Sequence, residues 1–410
     1  MKYNNISKAF ASCAIIAAGF GALTSCTDGF ESANRPGTKA SAEELKRDNY
    51  ITASFITQMQ NEAFPEQENA YQMNIDLIGN YLGRYMTYAN NGFAEKNFAR
   101  FNAPNSWVRY PFKDAMPKVV SAFNEVARLT NRQGINYAWA LILRSQEFLR
   151  LTDMYGPLPI GSESDPNAYS SQEKVYKHLI ACLDTATTIL QPLLAANPDL
   201  KSSEEYDKVY GGKFSSWLKF ANSLKLRMAM HIVKVNPSKA KQWAEEAVAS
   251  GVIETEDQEM FFSQTITGNS NPMIDLWNSW NDMRMGAGYE QTLRAFDHPF
   301  LKMLFTKNTR IANSKDDSKS LEADTKVCGI LAGAHVGQEQ GSSSNPYNGF
   351  SKLVQKSMGN APLYLMKLSE VCFLRAEGAV RGWSMGGSAQ HFYEQGIREG
   401  NVMDRKLQLR

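Results

Sequence analysis

The sequence predicts an all-α fold of tetratricopeptide-like helical repeats interrupted by a loop-rich insertion. Three observations predict it. From Ala42 onward, apolar residues recur mainly at helical spacing. Two helix pairs far apart in the chain share one spacing of large and small residues. Between Glu254 and Leu363 the helical pattern fades, and Gly, Asn, Ser and Pro become frequent.

The chain opens with a segment that precedes any fold. Lys2 and Lys8 supply positive charge, and Ala9 to Phe20 form an apolar run too short to span a bilayer. Leu23-Thr24-Ser25-Cys26 follows, a large aliphatic, two small residues and a cysteine. That order is the pattern of a bacterial lipobox, in which the thiol takes a lipid before cleavage. Residues 1–25 are therefore expected to be a lipoprotein signal peptide and Cys26 the lipidated residue. Residues 26–41 are polar, with Pro36 and Gly37, and read as a lipidated linker. No later apolar run is expected to approach the length of a membrane span.

Residues 42–410 are expected to form the folded domain. A first clear helix carries Ala138, Leu141, Ile142, Ser145, Leu149 and Thr152, and Gly156 with Pro157 and Pro159 ends it. Arg150 and Asp153, three apart, are expected to pair at its end. A second helix carries Val175, Leu179, Cys182, Ala186 and Ile189. A third runs from Phe214 to about Val233, and a fourth starts at Pro237 with Gly251 as its C-terminal stop. A later helix is read from Leu365 to Ala379, and Ala389 opens its partner. Setting Ala240 against Ala389 aligns Leu224 with Phe373 and Ala247 with Gly396. Large residues on one helix and small ones on the next let antiparallel helices approach closely. The insertion is placed around residues 254–363, where binding groups usually sit on loops.

Composition narrows the function. Hydrophobic residues make up 43% and charged residues 21%, an ordinary balance for a folded domain. The net charge is +2 with no basic cluster, so nucleic acid is not an expected partner. Cys182 and Cys372 lie on apolar helical faces and read as buried small hydrophobes. The histidines are scattered, with no zinc-type spacing, Walker loop or nucleophile elbow, so no metal, cofactor or catalytic residue is expected.

What stands out is aromatic and amide-rich. The stretches Asn80–Asn91, Asn102–Tyr110 and Ile274–Arg284 interleave Trp and Tyr with Asn, Asp and Arg. A sugar ring has apolar faces and a polar rim, so flat aromatics beneath it and amides or guanidinium at its edge recognise it. The candidate platforms are Trp107, Trp277 and Trp280, with Tyr85 and Tyr88 as secondary surfaces. Asn105, Asn281 and Arg284 are candidates for the ligand rim. For Trp277 and Trp280, three apart on a helical face, a place in the core stands beside the binding role. Tyr289 and Tyr347 are the ground to search if these three tryptophans are core. A second function class also fits, a glycoside hydrolase using Asp275 and Asp282 as paired carboxylates. A third is a helical-repeat adaptor.

Three further segments carry a resemblance. Leu151-Thr152-Asp153-Met154-Tyr155-Gly156-Pro157-Leu158-Pro159, Trp217 to Ala229, and Leu368 to Glu377 with Arg381-Gly382-Trp383 resemble hallmark segments of the SusD/RagB family of Bacteroidetes outer-membrane lipoproteins. Tyr393-Glu394-Gln395-Gly396-Ile397 follows in the expected place. The resemblance implies tetratricopeptide-like repeats, surface exposure on the outer membrane and partnership with a SusC-like TonB-dependent transporter. It implies a captured nutrient, an oligosaccharide or in some members a peptide, bound by loops in the regions of Trp107 and Trp277. Family chains usually continue well past the Tyr393 segment, so the tail Glu399–Arg410 leads to the expectation of a truncated or frame-shifted product.

Overall fold

Helical hairpins stacked in sequence order form the body of the protein. The computed structural model describes residues 50–400, apart from 162–164, 166, 203, 263–270, 308–326, 335–346, 348 and 354–360. The signal segment, Cys26, the linker and the tail after Gly400 lie outside the described residues. The chain divides into two units, Met1–Ile51 and Thr52–Arg410, and the second holds the fold.

The long helices are α1 (Tyr50–Ala63), α2 (Tyr110–Leu129), α3 (Gly134–Tyr155), α4 (Gln172–Ala196), α5 (Phe214–His231), α6 (Pro237–Ala249), α7 (Ala287–Ala295), α8 (Leu368–Val380) and α9 (Ala389–Gly400). Helices α2 to α6 each pack on the next, α8 packs on α9, and α8 returns to α5. The helix ends follow local chemistry. Asn236 caps α6 by accepting from the Lys239 N–H at 3.1 Å, with Pro237 in the first turn. Gly156 ends α3 at φ 76°, and its N–H donates to the Thr152 carbonyl at 2.7 Å. The last pair begins later than its apolar pattern suggests. Leu365 belongs to a strand, and α8 starts at Leu368.

The repeat logic is visible in the contacts. A Cβ added at Gly396 on α9 would lie 2.7 Å from Cε1 of Phe373 on α8, so a larger residue there would require the Phe373 ring to swing aside. Leu224 and Ala247, the aligned pair on α5 and α6, are both fully buried. Cys182 and Cys372 are buried free thiols.

Helix α5 is also bolted by polar side chains. Trp217 Nε1 donates to Asp207 at 2.8 Å. Asn222 donates to the Ser250 and Gly251 carbonyls at the end of α6. The buried Lys225 ammonium reaches Asp184 on α4 and Glu246 on α6, each at 2.7 Å. Arg227 grips Glu370 on α8 with two hydrogen bonds of 2.6 and 2.8 Å. The hallmark segments around Trp217 and Leu368 thus meet as structure, one holding the other. Helix α4 corrects one expectation. By length and composition it is apolar enough to cross a membrane, but its Val175, Leu179 and Leu183 face is buried as it packs between α3 and α5. Arg150 and Asp153 do not pair with each other. Arg150 bonds Glu147, while Asp153 accepts from Tyr176 Oη and lies 3.3 Å from His231 Nδ1.

Three two-stranded antiparallel sheets complete the architecture: β1 (Met86–Tyr88) with β5 (Met283–Met285), β2 (Leu158–Pro159) with β3 (Tyr169–Ser170), and β4 (Met260–Phe262) with β6 (Leu363–Met366). The β4–β6 pairing sets Met260 opposite Met366 and Phe262 opposite Leu363. It brings together the two ends of the 254–363 region, so that region leaves the helical scaffold and returns to it at one point.

Candidate functional site

The β1–β5 ladder joins two of the three aromatic stretches. Met86, Thr87 and Tyr88 lie opposite Met285, Arg284 and Met283. The pairing extends at both ends, with Ala89 N–H donating to the Asp282 carbonyl at 2.7 Å and Gly286 N–H to the Tyr85 carbonyl at 2.9 Å. A third segment lies against it, bridging Gly286 to Ile330. Glycine is required here, because a Cβ on Gly286 would lie 2.4 Å from the Arg84 carbonyl oxygen, a backbone atom that cannot swing away.

Each strand of the ladder is preceded by a π-helical turn, Gln72–Asp76 before β1 and Asp275–Ser279 before β5. Such turns are frequent at functional sites. Asp282 links them, accepting from Gln72 Nε2 at 2.7 Å and Asn90 Nδ2 at 2.6 Å. Burial pushes the Asp282 carboxyl above its usual range, against the pull of these two amides. Its neighbour Asp76 is wholly buried and is pushed up to about 7 by burial, although Asn80 donates to it at 2.6 Å.

The candidate residues divide into two groups. Trp277 is 1% exposed and Tyr88 0%, so neither ring offers a face to a ligand, and both are corrected to core. The reason for Trp277 is the π-turn. Its i→i+5 bonding, seen where Trp280 N–H donates to the Asp275 carbonyl at 2.7 Å, winds less per residue than an α-helix. Residues three apart then leave the common face, and Trp277 turns inward while Trp280 stays half-buried at the surface. Arg284 is also corrected. It is 1% exposed, its pKa is lowered to about 10 by burial, and it bonds the Asn281 side-chain oxygen and the Met283 carbonyl. It orients Asn281, which sits half-buried at φ 57°.

The other candidates reach solvent. Tyr85 is 49% exposed and meets Tyr289 edge-on, with centroids 5.3 Å apart. Trp107 is half-buried and Asn105 exposed on the short helix Asn105–Val108. Trp107 leans on Phe93, centroids 5.7 Å apart, with the Lys96 ammonium 5.4 Å from its ring. Tyr155 of the first hallmark segment positions this turn by donating its hydroxyl to the Val108 carbonyl at 2.6 Å. Phe93 in turn stacks on Tyr88 and Tyr81, so an aromatic chain runs from surface Trp107 to the ladder.

Lys96 and Gln72 lie outside the stretches that stand out in the sequence, and Asn90 stood there only as part of Asn80–Asn91, because the partner of Gln72 and Asn90 is the distant Asp282. Tyr289 stood only as alternative ground. Of the paired carboxylates proposed for hydrolysis, Asp282 spends its oxygens on Gln72 and Asn90, and Asp275 accepts from Ser279 at 2.8 Å. Among the described residues no three His, Cys, Asp or Glu side chains converge on a metal position. The surface presents flat rings with amide and ammonium neighbours, an arrangement suited to holding a ligand.

Residues 32–402 match the SusD-like family, described as SusD and RagB outer membrane lipoproteins. No curated protein sequence matches the chain. Solved structures do. A chitin-binding SusD homologue from Flavobacterium johnsoniae is 30% identical, with TM-score 0.73, over 87% of this chain and 71% of that one. A SusD homologue from Bacteroides thetaiotaomicron is 29% identical, with TM-score 0.74, over 87% and 70%. One from Bacteroides ovatus is 28% identical, with TM-score 0.75, over 88% and 71%.

Proposed function

Because this chain belongs to the SusD-like family of outer membrane lipoproteins, we propose that it captures an oligosaccharide at the cell surface and delivers it to a SusC-like TonB-dependent transporter. Cys26 is the proposed lipid attachment, a triacylated cysteine being a lasting membrane anchor where one acyl chain is marginal. The observation that carries the binding role is the division of aromatics around one ladder. Tyr88 and Trp277 are buried, while Trp107, Trp280 and Tyr85 keep ring surface in water beside Asn105 and Asn281. Rings stack on the apolar faces of sugars, and the amides meet the hydroxyl rim. No chemistry on the ligand is proposed.

The chitin-binding relative makes N-acetylglucosamine oligomers the first probe, within a wider glycan and peptide array. The full chain is expected to retain a glycan, and Trp107→Ala to weaken that binding roughly tenfold, the scale of one lost ring stack. The melting temperature should fall less than for a core tryptophan, because Trp107 keeps part of its surface in solvent. Retention of no glycan would end the proposal, and retention of peptides alone would move it to the peptide-capturing reading.

A further inference from the structure

We propose that Phe101 is a further ligand contact, an aromatic platform that extends the Trp107 site by at least one sugar ring. This rests on the glycan-binding reading above. Phe101 is 89% exposed, the most of any large hydrophobic among the described residues. Its φ is 57°, in the left-handed region that a side chain with a Cβ occupies at a cost. Neither feature helps the fold, since a phenyl ring in water and a strained backbone are both unfavourable.

The loop that presents the ring is nonetheless built with care. Asn97, almost wholly buried, donates from Nδ2 to the Phe93 carbonyl at 2.7 Å and accepts from Arg100 N–H at 2.7 Å. Its own N–H donates to Asn102 Oδ1 at 3.0 Å, and Asn102 Nδ2 donates to the Glu95 carbonyl at 2.8 Å. Arg100 closes the loop with a 2.8 Å bond to the Ala94 carbonyl. Two asparagines and an arginine therefore hold Phe101 outward.

The same loop touches the Trp107 site. Phe93 at its base packs against the Trp107 ring, and Lys96 lies over that ring. The loop that presents Phe101 thus also packs Phe93 and Lys96 against Trp107, with Asn102 and Asn105 in the same stretch of chain. Rings separated by short amides and one ammonium suit successive sugar residues better than an apolar protein surface, which would place further large hydrophobics between them. The consequence is a dependence on ligand length. A short oligomer covers Trp107 alone, and a longer one reaches Phe101.

The test uses the full chain and calorimetric titration with the dimer and the hexamer of N-acetylglucosamine, or the same two lengths of whichever glycan series the array retains. Phe101→Ala is expected to weaken hexamer binding roughly tenfold and leave dimer binding unchanged. Phe101→Trp should keep both affinities. Phe101→Gly should weaken the hexamer likewise, yet melt no lower than the parent, because glycine accepts this backbone freely. Unchanged hexamer binding in Phe101→Ala overturns the proposal, as does an equal loss for both lengths. A lowered melting temperature in Phe101→Gly would make the ring structural. Loss of a co-purifying β-barrel with glycan binding intact would assign Phe101 to a protein partner instead. If the parent chain retains no glycan at all, it is the function above that fails.

Discussion

The helical scaffold and the aromatic cap of this protein are held by different kinds of contact. In the scaffold, helices α2 to α6 each meet the next in sequence, and α8 packs on α9 and returns to α5. In the cap, residues around 86 pair with residues around 284, Gly286 bridges to Ile330, and Thr87 donates its hydroxyl to the Ile330 carbonyl. The scaffold repeats one solution, large side chains against small ones, as at Phe373 and Gly396. The cap is built once, from π-turns, a three-residue ladder and glycines that let backbones touch. A local, repeated solution leaves a period in the sequence, and a single long-range one does not. The cap holds residues of positive φ at Arg84, Phe101 and Asn281, and the scaffold holds them at Asn131 and Arg132 in the turn between α2 and α3.

The largest effect that separates the two regions is expected at Trp277. This ring is buried against Phe305 in the cap, centroids 6.3 Å apart. Trp277→Ala should destabilise by roughly 3–5 kcal/mol, the cost of truncating a buried aromatic. Urea unfolding measures it. Glycan affinity extrapolated to the folded fraction should be nearly unchanged. A stable variant with lost affinity would return Trp277 to the ligand and undo the division of aromatics drawn above.

That comparison explains what was legible in the sequence. The helix pairs around Leu224 and Phe373, the stop at Gly156 and the close approach at Gly396 could be read because their causes lie within a few turns of chain. The fate of the aromatics could not. Trp277 and Trp280 look equivalent at spacing three, and only the i→i+5 turn buries one wholly and the other in part. Tyr88 and Tyr85 likewise look alike, but the ladder begins between them. Arg284 had the chemistry of a ligand-rim residue, and burial beside Asp282 and Tyr81 made it a brace. Phe101 carried no signal at all, since a single phenylalanine in a polar loop is unremarkable until its exposure and φ are known.

A second expected effect is a pH dependence seated where the cap's first π-turn meets the next helix. Burial raises Asp76 from 3.8 to about 7, and the nearby Asp282 charge adds to the rise. The folded form therefore holds its proton more tightly than the unfolded form. Asp76 costs nothing below its unfolded pKa, an increasing amount between about pH 4 and 7, and a constant amount above that. The size is at most a few kcal/mol. Asp76→Asn keeps an acceptor for Asn80 and cannot ionise. The stability of the parent relative to this variant should thus fall from pH 4.5 to about 7 and then level off. A flat difference across that range would show that water or a partner reaches the carboxylate.

The smallest expected effect tests the scaffold. Glu370 receives two hydrogen bonds from Arg227, which also donates to the Leu365 carbonyl at 2.8 Å. The pair ties α8 to α5, but its side chains are 15% and 37% exposed, so water screens part of the attraction. Glu370→Gln keeps one acceptor and removes the charge, and should cost about 1–2 kcal/mol. Arg227→Lys should not be a mild change either, because an ammonium cannot make the two-pronged contact. Amide exchange should quicken in α8 and α9, the hairpin that this pair secures, and stay unchanged in the β1–β5 ladder. Glycan affinity should not move. If Glu370→Gln weakens the glycan as strongly as it loosens α8, then the ladder draws its rigidity from the far end of the repeats. Scaffold and cap would then be one cooperative unit, and the contrast between local and long-range construction would describe how the protein is assembled but not how it binds.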